Sequence, residues 1–163
     1  MLRLQCDVKQ YKWGQPGSTS LVADLASHGE GQVPVDDQEP YAELWMGSHV
    51  SGPSVAAKTG EPLNRWLERN PMALGKEVLK EHGSSLPFLF KVLSIQKSLS
   101  IQSHPDKALA EQLHCDRPHV YKDPNHKPEI ALAVRTLLLC HSTSHGTLLR
   151  FCSLVFVGCM RRV

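Results

Sequence analysis

The sequence predicts a mainly β protein with helical additions, and three observations carry that prediction. Phe88-Leu-Phe-Lys-Val-Leu-Ser94 is an apolar run of strand length, long enough to cross a core. Ala42-Glu-Leu-Trp-Met46, Leu99-Ser-Ile-Gln-Ser103 and the run from Glu129 to Val134 alternate apolar and polar residues, as strands with two unlike faces do. The helical patterns between these runs are short. A chain of 163 residues is enough for one domain with a real core.

In chain order, Leu21, Val22, Leu25 and Ala26 give an amphipathic helix over Ser18 to Ser27, with Ser18 or Thr19 as N-cap. Gly29 to Pro40 is rich in Gly, Pro and acid and reads as a loop. The strand Ala42–Met46 ends at Gly47. Leu63, Trp66 and Leu67 mark a helix that stops before Asn70-Pro71, because a residue preceding proline avoids the helical region. A second short helix covers Gly75 to His82 and ends at Gly83. Gln96-Lys97-Ser98 turns the Phe88 strand into the Leu99 strand, which His104-Pro105 breaks. Asp106 then caps a helix carrying Leu109, Ala110 and Leu113. A proline-rich loop leads to the Glu129 strand.

Composition excludes several functions. Net charge is +2, and no dense Lys/Arg stripe is present, so nucleic acid is not expected as a partner. No apolar stretch is long enough to span a membrane. The five cysteines form no C-x-x-C pair, which predicts free thiols and a cytoplasmic location. Residues 136–163 contain no Asp or Glu and hold neither strand nor helix period, so an irregular tail is expected there.

Period two places Gln102 and His104 on one strand face, and Glu129 heads a second strand. Zinc accepts His nitrogen and carboxylate oxygen, and a Gln carbonyl is a weaker neutral ligand, so the three suit a metal. A polar face lining solvent accounts for the same pattern. Lys91 interrupts an apolar strand and must either snorkel to water or meet an anion. Lys127, in the Pro-rich turn, is either a solvated surface lysine or an acid/base group beside a metal. Trp13, Trp45 and Glu43 are open between packing and pocket roles.

Five segments resemble one family in order and spacing: Tyr11-Lys-Trp-Gly14, Tyr41-Ala-Glu-Leu-Trp-Met-Gly47, Leu86-Pro-Phe-Leu-Phe-Lys-Val-Leu93, Leu99-Ser-Ile-Gln-Ser-His-Pro105 and Asn125-His-Lys-Pro-Glu129. They are similar to the type I mannose-6-phosphate isomerases (phosphomannose isomerases) over residues 1–133, with an unrelated tail over 134–163. The resemblance implies a partial cupin, a β jelly roll whose barrel is incomplete: about five strands are legible against about eight in a jelly roll. It implies one zinc ion held by Gln102, His104 and Glu129, with a fourth ligand, a His, lying in a region this chain lacks. Lys91, Ser100 and Trp13 would contact substrate, and Lys127 would serve catalysis. The implied reaction interconverts mannose 6-phosphate and fructose 6-phosphate by zinc-assisted proton transfer through an enediol, on the route to GDP-mannose, in a monomer.

The tail departs from the family. His141 and His145, one helical turn apart, are its only candidates for the absent ligand. The expectation is therefore a truncated product of alternative splicing or of an incomplete gene model, inactive as an isomerase. The alternative is a non-catalytic cupin fragment that binds zinc or a partner weakly, or an unstable product.

Overall fold

A computed structural model describes residues 1–97, 99, 103–121, 124, 126–134 and, as backbone, 153–159. Its main sheet has five antiparallel strands in the order β2 (Asp7–Lys9), β5 (Glu43–Met46), β7 (Phe88–Ser94), β9 (Ser153–Cys159) and β8 (Glu129–Ala133). Two ribbons flank it. One pairs β1 (Leu4–Gln5) with β6 (Val55–Ala56), and the other pairs β3 (Gln15–Pro16) with β4 (Pro40–Tyr41). Among the described residues the sheets do not close into a barrel. The short strands β1 to β4 and β6 were not legible in the sequence, because two or three residues carry no period.

The apolar run Phe88–Ser94 is the central strand, as expected. Its register sets the two faces of the sheet. Leu44 lies opposite Val92, and this face packs against helix α1 (Leu21–His28) through Val22 and Ala23, with Tyr41 completing the core. Glu43 lies opposite Leu93, and Trp45 opposite Lys91, on the other face. Directly opposed residues share a face.

The cap of α1 differs from expectation. Ser20, not Ser18 or Thr19, is the N-cap: its Oγ accepts from the Ala23 N–H at 3.3 Å. The same hydroxyl donates to the Tyr41 carbonyl at 2.9 Å, and Ser94 Oγ accepts the Val22 N–H at 3.2 Å. Ser20 is preferred because it is buried against the sheet and so satisfies helix and strand together.

Helices α2 (Leu63–Arg69) and α3 (Lys76–His82) match the sequence reading, with α2 stopping at Asn70 before Pro71 and α3 ending at Gly83 (φ +64°). No helix among the described residues is long and apolar enough to cross a membrane. Helix α4 (Lys107–Asp116) begins as predicted, with Asp106 Oδ1 accepting from the Leu109 N–H at 2.9 Å.

The expected strand Leu99–Ser103 lies largely outside the described residues, and Leu99 and Ser103 themselves carry no regular structure. The expectation of an irregular 134–163 segment does not hold over Ser153–Cys159. These residues form β9, inserted between β7 and β8 with full antiparallel register from Phe88↔Cys159 to Ser94↔Ser153. Val155, Phe156 and Val157 have high strand propensity, which overrides the lack of a clear period.

Candidate functional site

The sheet face away from α1 gathers the charged residues. Glu129 lies opposite Gly158 of β9, which itself lies opposite Leu89 of β7. Leu89 and Lys91 are two apart, so Glu129 and Lys91 share this face, two strand spacings apart across the sheet and two residues apart along it, roughly 12 Å. On the other side of β7, Glu43 and Trp45 project from β5, and Asp7 and Lys9 from β2.

His104 precedes the Pro105-Asp106 cap of α4, and Glu129 opens β8. His104 Nε2 stands 3.0 Å from Glu129 Oε2, with about a third of each side chain exposed. Two donors sharing a tetrahedral zinc at about 2.0–2.1 Å stand roughly 3.3 Å apart. The contact is a hydrogen bond or ion pair, and an imidazole nitrogen and a carboxylate oxygen so close are also of the right type and spacing to share that ion. Among the described residues, no group of three His, Cys, Asp or Glu side chains is close enough to hold a metal. Gln102 and Ser100 lie outside the described residues, as do His141 and His145.

The second cluster surrounds Lys91. Its ammonium lies 3.3 Å from Glu43 Oε2 and 4.5 Å from the Trp45 ring centroid. Glu43 Oε2 also accepts the Trp45 Nε1–H. Glu43 and Trp45 are buried, 8% exposed each, whereas the Lys91 side chain keeps 20% exposure. Lys91 therefore meets an anion in place of snorkelling to water. Lys9 approaches the same indole from β2, with Nζ 4.7 Å from the ring, 2.7 Å from Asp7 Oδ2 and 2.8 Å from the Ser51 carbonyl.

Two residues singled out by the sequence stand apart from these clusters. Trp13 stacks on Tyr11, with ring centroids 5.8 Å apart, and its carbonyl accepts the Gln96 N–H at 2.9 Å, fixing the segment after β7. Lys127 is exposed. Lys9 and Asp7 were missed in the sequence. The alternation Asp7-Val8-Lys9 was the available signal, but three residues do not establish a strand.

Comparison with known proteins gives this arrangement a context. A family model of the phosphomannose isomerase type I catalytic domain matches residues 1–142. Mannose-6-phosphate isomerase of Schizosaccharomyces pombe is 58% identical over 134 residues, covering 82% of this chain and 32% of the relative. The Saccharomyces cerevisiae enzyme is 50% identical over 137 residues, with the same coverage. Among solved structures, an alanine mutant of phosphomannose isomerase from Salmonella typhimurium superposes with a TM-score of 0.70 at 37% identity, covering 85% of this chain and 35% of that one. A mannose 6-phosphate isomerase bound with zinc and yttrium gives 0.67 at 36% identity, covering 85% and 36%.

The fold is thus that of the phosphomannose isomerase structures it matches, an incomplete cupin of mostly strands with added helices. The chain belongs to the type I phosphomannose isomerase family, and it spans about a third of the length of the relatives it matches.

Proposed function

We propose that this chain supplies the metal-binding and cationic walls of a zinc-dependent isomerase site that takes mannose 6-phosphate to fructose 6-phosphate. The observation that carries the reading is the His104–Glu129 pair at 3.0 Å, with Glu129 on the same sheet face as Lys91. Gln102, His104 and Glu129 would hold the zinc, with Gln102 supplying a neutral oxygen. When bound, zinc acts as a Lewis acid that polarises the sugar oxygens.

The remaining roles belong to side chains. Lys91 contacts the phosphate with its ammonium, which Glu43 orients from behind, and Ser100 and Trp13 line the substrate's approach. Lys127 moves the proton between C1 and C2 of the open-chain sugar, or stabilises the charge that develops there through the enediol. The modest net charge of +2 suits a small anionic ligand better than a polyanion. Free thiols at Cys6 and Cys115 suit a cytoplasmic, reducing setting, and a monomer is the proposed state.

Three measurements test the reading. In calorimetric titration of this 163-residue chain, zinc is expected to bind weakly, and His104→Ala or Glu129→Ala to remove binding. The chain by itself is expected to give negligible isomerase turnover, since it spans about a third of the length of the isomerases it matches. A chimera carrying residues 1–133 of this chain in the S. pombe enzyme is expected to turn over mannose 6-phosphate, and to lose activity with Lys127→Ala. A folded, zinc-loaded but inactive chimera would sink the proposal.

A further inference from the structure

Trp45 sits where a packing tryptophan has no need to be. The α1 side of β5 is taken by Leu44, and the indole projects instead onto the charged face. There it meets ammonium groups from both neighbouring strands, Lys9 at 4.7 Å and Lys91 at 4.5 Å, while its N–H is donated to Glu43. His49 closes the third side edge-on, with ring centroids 5.2 Å apart at 88°. The backbone is held as well: Ser54, wholly buried, donates its hydroxyl to the Trp45 carbonyl at 3.4 Å and accepts the Gly47 N–H at 3.1 Å.

We infer that Trp45 is a positioning residue: its ring fixes the ammonium of Lys91, and its N–H fixes the carboxylate of Glu43 that pairs with that ammonium. Indole is the strongest of the aromatic faces for a cation, and the attraction grows as water is excluded. Both conditions hold here, because Trp45 is 8% exposed and the Lys9 and Lys91 side chains 19% and 20%. Lys9 is independently tied to Asp7 and to the Ser51 carbonyl. It therefore acts as a fixed strut on one side of the ring, and Lys91 is the cation whose placement the ring decides. A leucine would fill much of the space and offer neither a π face nor a donor. The inference deepens the proposed function, since it rests on Lys91 as the phosphate contact for its consequence, though not for its geometry.

The test uses the intact chain labelled with 13C-lysine, with Lys9→Arg and Lys91→Arg to assign the side-chain signals. The Hε protons of Lys9 and Lys91 are expected well upfield of the other lysines, from the indole ring current. Trp45→Leu is expected to return Lys91 to the ordinary position, and Trp45→Phe to restore part of the upfield shift, which a space-filling role would not produce. Titration with mannose 6-phosphate is expected to move the Lys91 signal, about tenfold more weakly in Trp45→Leu. Lys91 signals unchanged in folded Trp45→Leu, or no upfield lysine in the parent chain, would overturn the inference. If Trp45→Leu does not fold, a Trp45→Phe chain without upfield lysines overturns it equally. A Lys91 signal that loses its shift with Trp45 yet ignores mannose 6-phosphate in the parent chain supports the positioning and refutes the substrate contact.

Discussion

Glu43 and Lys91 meet diagonally across two strands: Glu43 lies opposite Leu93, Lys91 lies opposite Trp45, and the charges still close to 3.3 Å. The diagonal matters because it leaves Trp45 beside the pair, able to donate to one member and face the other. Removing a single charge from such a pair leaves its partner in a desolvated place, whereas removing both leaves little behind. Lys91→Met is expected to destabilise the chain by about 2–4 kcal/mol in urea denaturation. The double variant Glu43→Gln/Lys91→Met should cost clearly less than the two single changes added together. Additive costs would show that the two side chains do not interact.

Ser20 ties a helix to a sheet with one hydroxyl, which accepts from Ala23 and donates to Tyr41. Ser20→Ala removes the cap and leaves the Tyr41 carbonyl without that donor. The expected loss is about 1–2 kcal/mol, read from the denaturation midpoint, against a few tenths for exposed Ser18→Ala. Equal effects at the two positions would place the cap elsewhere.

Gly14 abuts the start of β5. A Cβ built there would lie 2.7 Å from both the backbone nitrogen and the Cα of Ala42, whose N–H bonds the Lys9 carbonyl at 2.8 Å. Neither backbone atom can swing aside, so Gly14→Ala must displace the β2–β5 seam. A destabilisation of about 1–3 kcal/mol is expected, together with displaced Lys9 Hε resonances. A neutral substitution would mean that the approach is looser than described.

Burial pushes the Cys6 thiol above its ordinary pKa, partly opposed by a hydrogen bond with Ser54. The folded chain therefore holds this proton more tightly than the unfolded chain. Stability from this group is fully present below the unfolded thiol's pKa of about 8.5 and is lost as pH rises through the folded value. Urea midpoints measured from pH 7 to 10 should fall more steeply for the parent chain than for Cys6→Ala. Exposed Cys115 should react with a thiol reagent at pH 8 faster than Cys6.

Ile130 and Leu132 are 73% and 66% exposed on β8, an outer strand of the main sheet. Among the described residues no strand pairs with its outer edge, and a strand edge with an apolar row invites pairing between chains. Ile130→Lys with Leu132→Lys should lower concentration-dependent light scattering at neutral pH. Unchanged scattering would place the sticky surface elsewhere.

The parts of the fold read correctly from sequence are those whose cause is local. Asp106 caps α4 from the residue before it by reaching the N–H three residues on, Pro71 ends α2 from the next residue but one, and the seven residues of β7 carry their own apolar signal. The Lys91 pocket was only half legible. The lysine stood out as a charge in an apolar strand, but that Glu43 and Trp45 answer it depends on the β5–β7 register, and Lys9 on that of β2. Register is decided by packing between distant segments, and no window of sequence displays it. His104 and Glu129 illustrate the intermediate case: their chemistry was readable residue by residue, and their 3.0 Å meeting was not.

β9 also has a metrological role. It comes from residues beyond the 142 that the family model matches, yet its width sets how far the β8 carboxylate stands from the β7 ammonium. A sheet counts in steps of about 4.8 Å, so whatever strand fills that slot works as a spacer of fixed gauge. The gap between the Glu129 carboxylate and the Lys91 ammonium is therefore graduated in backbone alone.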